Sequence, residues 1–208
     1  MLLDLYKLNE FYDMNIKGIL HIGGHFGEES SLYHNLKVEN AIFFEPMKSS
    51  FSVCELNVSK HNYDCVNIAL GSSESEMKMY TETANMGQSS SLLKPSLHTK
   101  QYPHIVFNGN ETVQVTTLDN FMKDKNLNDF NLINIDVQGY ELEVFKGSME
   151  TLNNIDYIIA EVNRDELYEN CARVDELDSF LRDFGFERKE TSWAGQTWGD
   201  AFYIKSDT

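Results

Sequence analysis

The sequence predicts an α/β fold, and three observations carry that expectation. Strand-like and helix-like runs alternate from end to end of the 208 residues. A glycine turn, Gly23-Gly24-His25-Phe26-Gly27, joins an apolar run to a polar helix start. Three apolar strand candidates end at a carboxylate, Glu45, Asp136 and Glu161, and the C-terminal edge of a parallel sheet is where ligands bind.

Taken in order, the first strand covers residues 18–23, mostly apolar up to the glycines. A helix over 27–37 opens on Glu28-Glu29-Ser30-Ser31, and Ala41-Ile42-Phe43-Phe44 forms the body of a strand over 40–45. A helix over 49–60 leads to a strand over 63–70, and strands over 76–81 and 112–116 flank a polar stretch. Thr117 suits the N-cap of a helix over 118–125, with Asp119 in its first turn. A strand over 131–136 precedes a helix over 139–152, whose Leu142, Phe145, Met149 and Leu152 recur at helical spacing. After a strand over 155–162, a helix over 174–184 places Val174, Leu177, Leu181 and Phe184 on one face and stops at Gly185. Strands over 186–191 and 198–205 come last.

Residues 17–46 have the shape of a nucleoside-cofactor half-site. Glycines let the backbone turn sharply and approach a ligand, and a carboxylate closing the next strand can accept both ribose hydroxyls. From Gly23 to Glu45 is 22 residues, close to the roughly 20 such a site uses. The dinucleotide pattern G-x-G-x-x-G is not met, because His25 and Glu28 stand where its second and third glycines belong. Acidic residues at the helix start would repel a pyrophosphate, whereas S-adenosylmethionine carries no phosphate. The same glycines would also serve an ordinary βαβ turn.

The length suits one domain, 1–208, and 41% apolar with 24% charged residues is a globular composition. No run reaches the 18 or so apolar residues of a membrane span, and no signal-peptide pattern opens the sequence. Cys54, Cys65 and Cys171 lack metal spacing and fit free thiols in a reducing cytoplasm. A net charge of −16 without a Lys/Arg cluster argues against nucleic acid. Residues 83–110 interrupt the alternation, with no apolar period. Their Ser90, His98 and Tyr102 suit a polar substrate, and the segment reads as a lid; a plain surface loop is the alternative.

Ile135-Asp136-Val137-Gln138-Gly139-Tyr140-Glu141 with Gly147, Thr117-Leu118-Asp119, Phe44-Glu45-Pro46, Ala69-Leu70-Gly71 and Ser89-Ser90-Ser91-Leu92 follow one another in a family order. Together they resemble the FkbM family of S-adenosylmethionine-dependent methyltransferases, over about residues 17–205. The resemblance implies the class I methyltransferase (Rossmann-like) fold, a seven-stranded, mostly parallel sheet with helices on both faces. Residues 198–205 would be its antiparallel strand. It implies that His21, Gly23, Gly24, His25, Phe26 and Gly27 hold the methionine end of the cofactor and Glu45-Pro46 the ribose. It places Asn67, Ala69 and Leu70 along the adenine and Asp136-Val137-Gln138 near the reacting methyl. His21 and His25 depart from the family's usual Asp and Asn, and Asn134 and Gln138 from its usual Lys and Glu, so the cofactor's ammonium loses an expected carboxylate partner.

The family implies O-methylation of a small molecule or glycan, with a sugar hydroxyl as acceptor. An alcohol must lose its proton, so a base within reach is required. Asp136 is the first choice, with His98 or His25 as neutral imidazoles in reserve. Alternatively Asp136, Glu161 and Asp200 converge on Mg²⁺ or Mn²⁺ as hard oxygen ligands. Trp193, Trp198 or Tyr102 would stack on a carbohydrate. The rival readings are a nicotinamide-dependent oxidoreductase and a cofactor-binding module without catalysis.

Overall fold

Apolar runs buried on both faces form the centre of the computed structural model, which describes residues 1–206. The strands are β1 (Gly18–Ile22), β2 (Asn40–Phe44), β3 (Asp64–Val66), β4 (Ala69–Leu70), β5 (Ser75–Thr81), β6 (Gly109–Thr116), β7 (Leu132–Ile135), β8 (Tyr157–Asn163), β9 (Phe186–Ala194) and β10 (Trp198–Lys205). The helices are α1 (Leu5–Phe11), α2 (Ser30–Asn35), α3 (Lys48–Val58), α4 (Leu97–Gln101), α5 (Leu118–Met122), α6 (Glu141–Lys146) and α7 (Val174–Arg182). Seven strands form the main sheet, in the order β3-β2-β1-β7-β8-β10-β9. All its pairings are parallel except those of β10, which runs antiparallel to β8 and β9. This is the arrangement expected, down to the residues of the antiparallel strand.

Successive strand residues point to opposite faces, and two apolar layers result. Ile19, Phe43, Leu132, Ile159 and Phe202 pack with Leu8 of α1, Tyr33 of α2 and Cys54 of α3. Leu20, Ile42, Ile133, Ile158 and Tyr203 pack with Leu118 of α5, Phe145 of α6 and Leu177 of α7. The neighbours Phe202 and Tyr203 thus seal opposite faces, both essentially fully buried. Thr117 caps α5 as expected, its side chain accepting from the Asn120 amide at 3.0 Å. Gly185 takes a φ of +85° just past α7, a backbone that favours glycine.

Elsewhere the boundaries differ. The helix expected over 139–152 ends at Lys146, and Met149 is exposed rather than buried with Phe145 and Leu152. A Cβ on Gly147 would sit 2.0 Å from the Gly71 carbonyl oxygen, so the two backbones touch where the helix stops. The strand expected over 63–70 divides at Asn67. Its first half joins the main sheet as β3, and its second, as β4, pairs with β6 in a small sheet of order β4-β6-β5. Residues 83–110 contain the short helix α4, and single bridges tie Ser91 to Tyr80 and Pro95 to Tyr168. The helix α1 has no counterpart in the sequence reading. Asp4 caps it by accepting from the Tyr6 and Lys7 amides, and Leu5 and Leu8 anchor it.

Candidate active site at the C-terminal edge of the sheet

The chain leaves β1 through the glycine turn. Gly23 has a φ of +89°, and a Cβ there would lie 1.9 Å from the Asp136 carbonyl oxygen. The amides of Gly23 and Gly24 both donate to the Phe44 carbonyl, at 3.0 and 2.9 Å, which fastens the turn to the end of β2. Glu45 follows directly. Its Oε2 accepts from the His25 amide and its Oε1 from the Met47 amide, each at 2.8 Å. Burial raises the Glu45 carboxyl to about 7, although both amide bonds favour the charged form. A carboxylate has about four lone-pair sites, so each oxygen keeps one for a ligand.

His25 bonds on both sides of its ring, Nδ1 to the Glu28 carboxylate at 2.7 Å and Nε2 to the Met86 carbonyl oxygen at 3.0 Å. Both partners only accept, an arrangement that favours the ring with both N–H groups. Burial opposes this, but the Glu28 bond and the Met86 carbonyl leave its pKa raised. His25 therefore clamps residue 86 to the glycine turn. His21 is different. Its Nδ1 accepts from the Tyr33 hydroxyl at 2.8 Å, that hydroxyl accepts from Asn134 Nδ2 at 2.7 Å, and burial lowers the imidazole pKa.

A second turn, after β7, carries Asp136. Gln138 and Gly139 both have positive φ, +56° and +96°. Glu141 Oε1 holds that strained pair by accepting from the Val137 amide at 3.0 Å and the Gly139 amide at 3.1 Å. Glu141 is buried, its carboxyl pushed to about 7 mainly by desolvation. Glu141 closes the motif that begins at Ile135, and its side chain serves the turn inside that motif. Gln138 Nε2 donates to Asp136 Oδ1 and Glu161 Oε2, each at 2.7 Å, while its Oε1 accepts from the Tyr168 hydroxyl at 2.8 Å. Burial, followed by the charge of Asp136, pushes the Glu161 carboxyl well above the usual range. Asp200 lies opposite Glu161 in the β8–β10 register and accepts from the Leu2 amide. Burial raises its carboxyl to about 6.

A cavity of about 380 Å³ joins these groups. Its lining includes His21, Gly23, Gly24, His25, Glu45 and Pro46 with Ala69 and Leu70, and Asp136, Val137 and Gln138 of the turn after β7. Ser90, His98, Tyr102, Trp198, Glu161 and Asp200 also line it. Trp198 Nε1 donates to the Tyr102 hydroxyl at 3.0 Å, making one aromatic wall. His98 is buried, which lowers its pKa, and its Nδ1 has no partner among the described residues.

Several expected residues stand outside this cavity. Asn67 braces the backbone instead, donating to the Glu45 and Pro46 carbonyls at 2.9 Å. Phe26 stacks on His25, and Gly27 packs against Val58, where a Cβ would come within 2.7 Å. Trp193 lies beneath the Arg164 guanidinium at 3.6 Å, so Trp198 and Tyr102 are the aromatic wall. The structure lends no support to Asp136, Glu161 and Asp200 as a metal ligand set. The Gln138 amide bridges two of the carboxyls and the Leu2 amide takes the third. Among the described residues no group of three or more His, Cys, Asp or Glu is placed to hold a metal ion.

This fold and turn define the methyltransferase class of α/β proteins. Residues 21–188 match the Methyltransferase FkbM domain, and the chain belongs to that family. It is similar to the 2-O-methyltransferase NoeI of Sinorhizobium fredii, 27% identical over 158 residues, which cover 73% of this chain and 65% of that relative. Among solved structures it is similar to M. capricolum TrmK in complex with S-adenosylhomocysteine: TM-score 0.54, 12% identity, 99% of this chain and 70% of that one. It is also similar to the magnesium protoporphyrin IX methyltransferase ChlM of Synechocystis with bound S-adenosylmethionine: TM-score 0.52, 8% identity, 97% and 76% covered. At such identities these structures speak for the fold alone.

Proposed function

We propose that this chain is an S-adenosylmethionine-dependent O-methyltransferase acting on a hydroxyl of a sugar or related small polar metabolite. The observation that carries the reading is one cavity lined both by the glycine turn with Glu45 and by aromatic and polar groups, with Asp136 following β7, the strand between β1 and β8. In this reading 1–208 is a single methyltransferase domain and 83–110 its lid. Gly23, Gly24 and His25 cradle the methionine portion of the cofactor. Glu45 accepts from the ribose hydroxyls, and Ala69 and Leu70 flank the adenine. The fit rests on Gly23, whose position leaves no room for a Cβ, and on the free lone pairs of Glu45.

S-Adenosylmethionine, when bound, supplies an electrophilic methyl group. The chain's own residues align the acceptor oxygen and take its proton, and alignment alone can contribute much of the rate. Asp136 is the base, held in place at 2.7 Å by the Gln138 amide. Glu161 stays beside it, its carboxyl pushed well above the usual range by burial and then by the charge of Asp136. His98, Ser90 and Tyr102 contact the acceptor. The similarity to NoeI, a 2-O-methyltransferase, supports transfer to oxygen. A formal net charge of −16, with no Lys or Arg lining the cavity, weighs against a nucleic-acid acceptor. Among the described residues no helix is long and apolar enough to cross a membrane, and free cysteines suit a cytoplasmic setting.

The test is transfer of labelled methyl groups to a panel of methyl glycosides, with RNA in parallel. Label on a glycoside is expected; label on RNA alone, or on neither, would overturn the reading.

A further inference from the structure

Asn163 ends β8, and neither the fold nor the chemistry above uses it. β8 and β10 pair so that Ile159 lies opposite Phe202, Glu161 opposite Asp200 and Asn163 opposite Trp198. Alternate strand residues share a face, so these pairs form one ladder on the side of the sheet where Ile159 and Phe202 meet α1–α3. Its rungs run from apolar, through acidic, to polar and aromatic. Glu161, Asp200 and Trp198 line the cavity. Asn163 is 1% exposed, and neither its Nδ2 nor its Oδ1 has a hydrogen-bond partner among the described residues. Buried polar groups nearly always find partners, and an exception calls for an explanation. The end of α4 is pinned to this edge. Thr197 Oγ1 donates to Gln101 Oε1 at 2.9 Å, and Trp198 Nε1 to Tyr102 at 3.0 Å.

We propose that Asn163, beside the cavity but not part of its lining, becomes the acceptor-recognising amide when the 97–102 segment lifts, pairing with two neighbouring hydroxyls of the acceptor. The match is one of hydrogen-bond sense. The amide offers donors on one side and an acceptor on the other, and a vicinal diol answers both. An ammonium only donates and a carboxylate only accepts, so each leaves one side of Asn163 unpaired. Trp198 beside it supplies the wall on which a ring stacks. Asn163 is a specificity residue, with a role separate from the proton transfer assigned to Asp136. The inference rests on the acceptor being polyhydroxylated and names the group that selects it.

The test uses Asn163→Val, which removes both polar atoms at similar size. If the amide is an orphan in the free protein, Tm is unchanged or raised. The KM for a methylated glycoside rises about tenfold or more, while the KM for S-adenosylmethionine stays. A Tm fall of more than about 5 °C with unchanged acceptor KM makes Asn163 a structural residue and overturns the proposal. A second arm needs no turnover: crystals of the S-adenosylhomocysteine complex soaked with glycerol, a triol probe. Glycerol hydroxyls on both amide atoms support the proposal; an amide satisfied by protein or water alone overturns it. If no glycoside is methylated, the glycan reading falls, and the soak still decides the role of Asn163.

Discussion

Glu45→Gln separates cofactor binding from folding. The substitution keeps one acceptor oxygen and turns the other into a donor. Either the His25 amide or the Met47 amide, each now 2.8 Å from a carboxylate oxygen, then faces another donor. Losing a charge-assisted bond of this kind costs about 1.5–3 kcal/mol. The buried charge is itself unfavourable. A carboxyl moved from 4.5 to about 7 disfavours the ionised native state by about 3 kcal/mol, at about 1.4 kcal/mol per tenfold. That shift is already net of both amide bonds, so at pH 8 loss of the charge should leave the variant melting at or above wild type. Cofactor affinity has no such offset. Ribose hydroxyls lose an ionised acceptor, and Kd for S-adenosylmethionine should rise about ten- to a hundredfold.

The pH dependence has a definite sign. Because the folded pKa of Glu45 lies above its ordinary 4.5, the carboxyl's contribution to stability is full below about 4.5 and is lost as pH rises through about 7. Cofactor affinity runs the other way. The wild type should bind more tightly as Glu45 loses its proton, levelling off above pH 8, while the variant stays flat. Calorimetric titrations at pH 6, 7 and 8 read both. Wild-type affinity in a folded variant at pH 8, or equal pH slopes, would remove Glu45 from the cofactor site.

Asp136→Asn should lower kcat by about 10²-fold or more with a small change in cofactor Kd; a variant that turns over normally would pass the base role to His98. Turnover by the wild type should survive a chelator, because Gln138 and the Leu2 amide occupy the carboxyl cluster; loss of activity restored by Mg²⁺ would reinstate a metal. Gly23→Ala should abolish cofactor binding and lower Tm, since its Cβ would lie 1.9 Å from the Asp136 carbonyl oxygen at a φ of +89°; a stable variant with normal affinity would refute the cradle.

The sheet was legible because its central strands, β1, β7 and β8, are buried on both faces and therefore read as apolar runs. Glu45 and Asp136 directly follow the ends of β2 and β7, whereas β8 runs two residues past Glu161. What escaped depends on contacts distant in sequence. Spacing alone carries the helix through Met149, but the approach of Gly147 to the Gly71 carbonyl is invisible without the fold. The five residues of α4 show no periodicity of their own, and the His98 amide donates to the Leu167 carbonyl at 3.1 Å. Trp193 and Trp198 look equivalent in the sequence; only the cover of Arg164 over the first distinguishes them. Glu141 was in plain view within its motif, yet its task, holding two residues of positive φ, needs the backbone to be seen.

Two departures from the family pattern that look independent in the sequence are one change in the structure. The positions where the resemblance expects an Asp and a Lys hold His21 and Asn134, and they are direct partners in the β1–β7 register. The Tyr33 hydroxyl joins them, donating to His21 and accepting from Asn134, with all three side chains buried. Burial lowers the His21 pKa and raises that of Tyr33, so the chain of bonds is neutral near pH 7. A neutral network in place of a buried ion pair need not lose stability, whereas one unmatched buried charge costs about 3–5 kcal/mol. His21→Asp alone should therefore destabilise by about that much at pH 8, and Asn134→Lys alone similarly. The double variant should recover a coupling of about 2 kcal/mol or more, because each new charge meets its partner across the strand pair. Denaturant unfolding of the four proteins closes the cycle. If the two single effects simply add, the positions are uncoupled and the Tyr33 bridge is not what unites them.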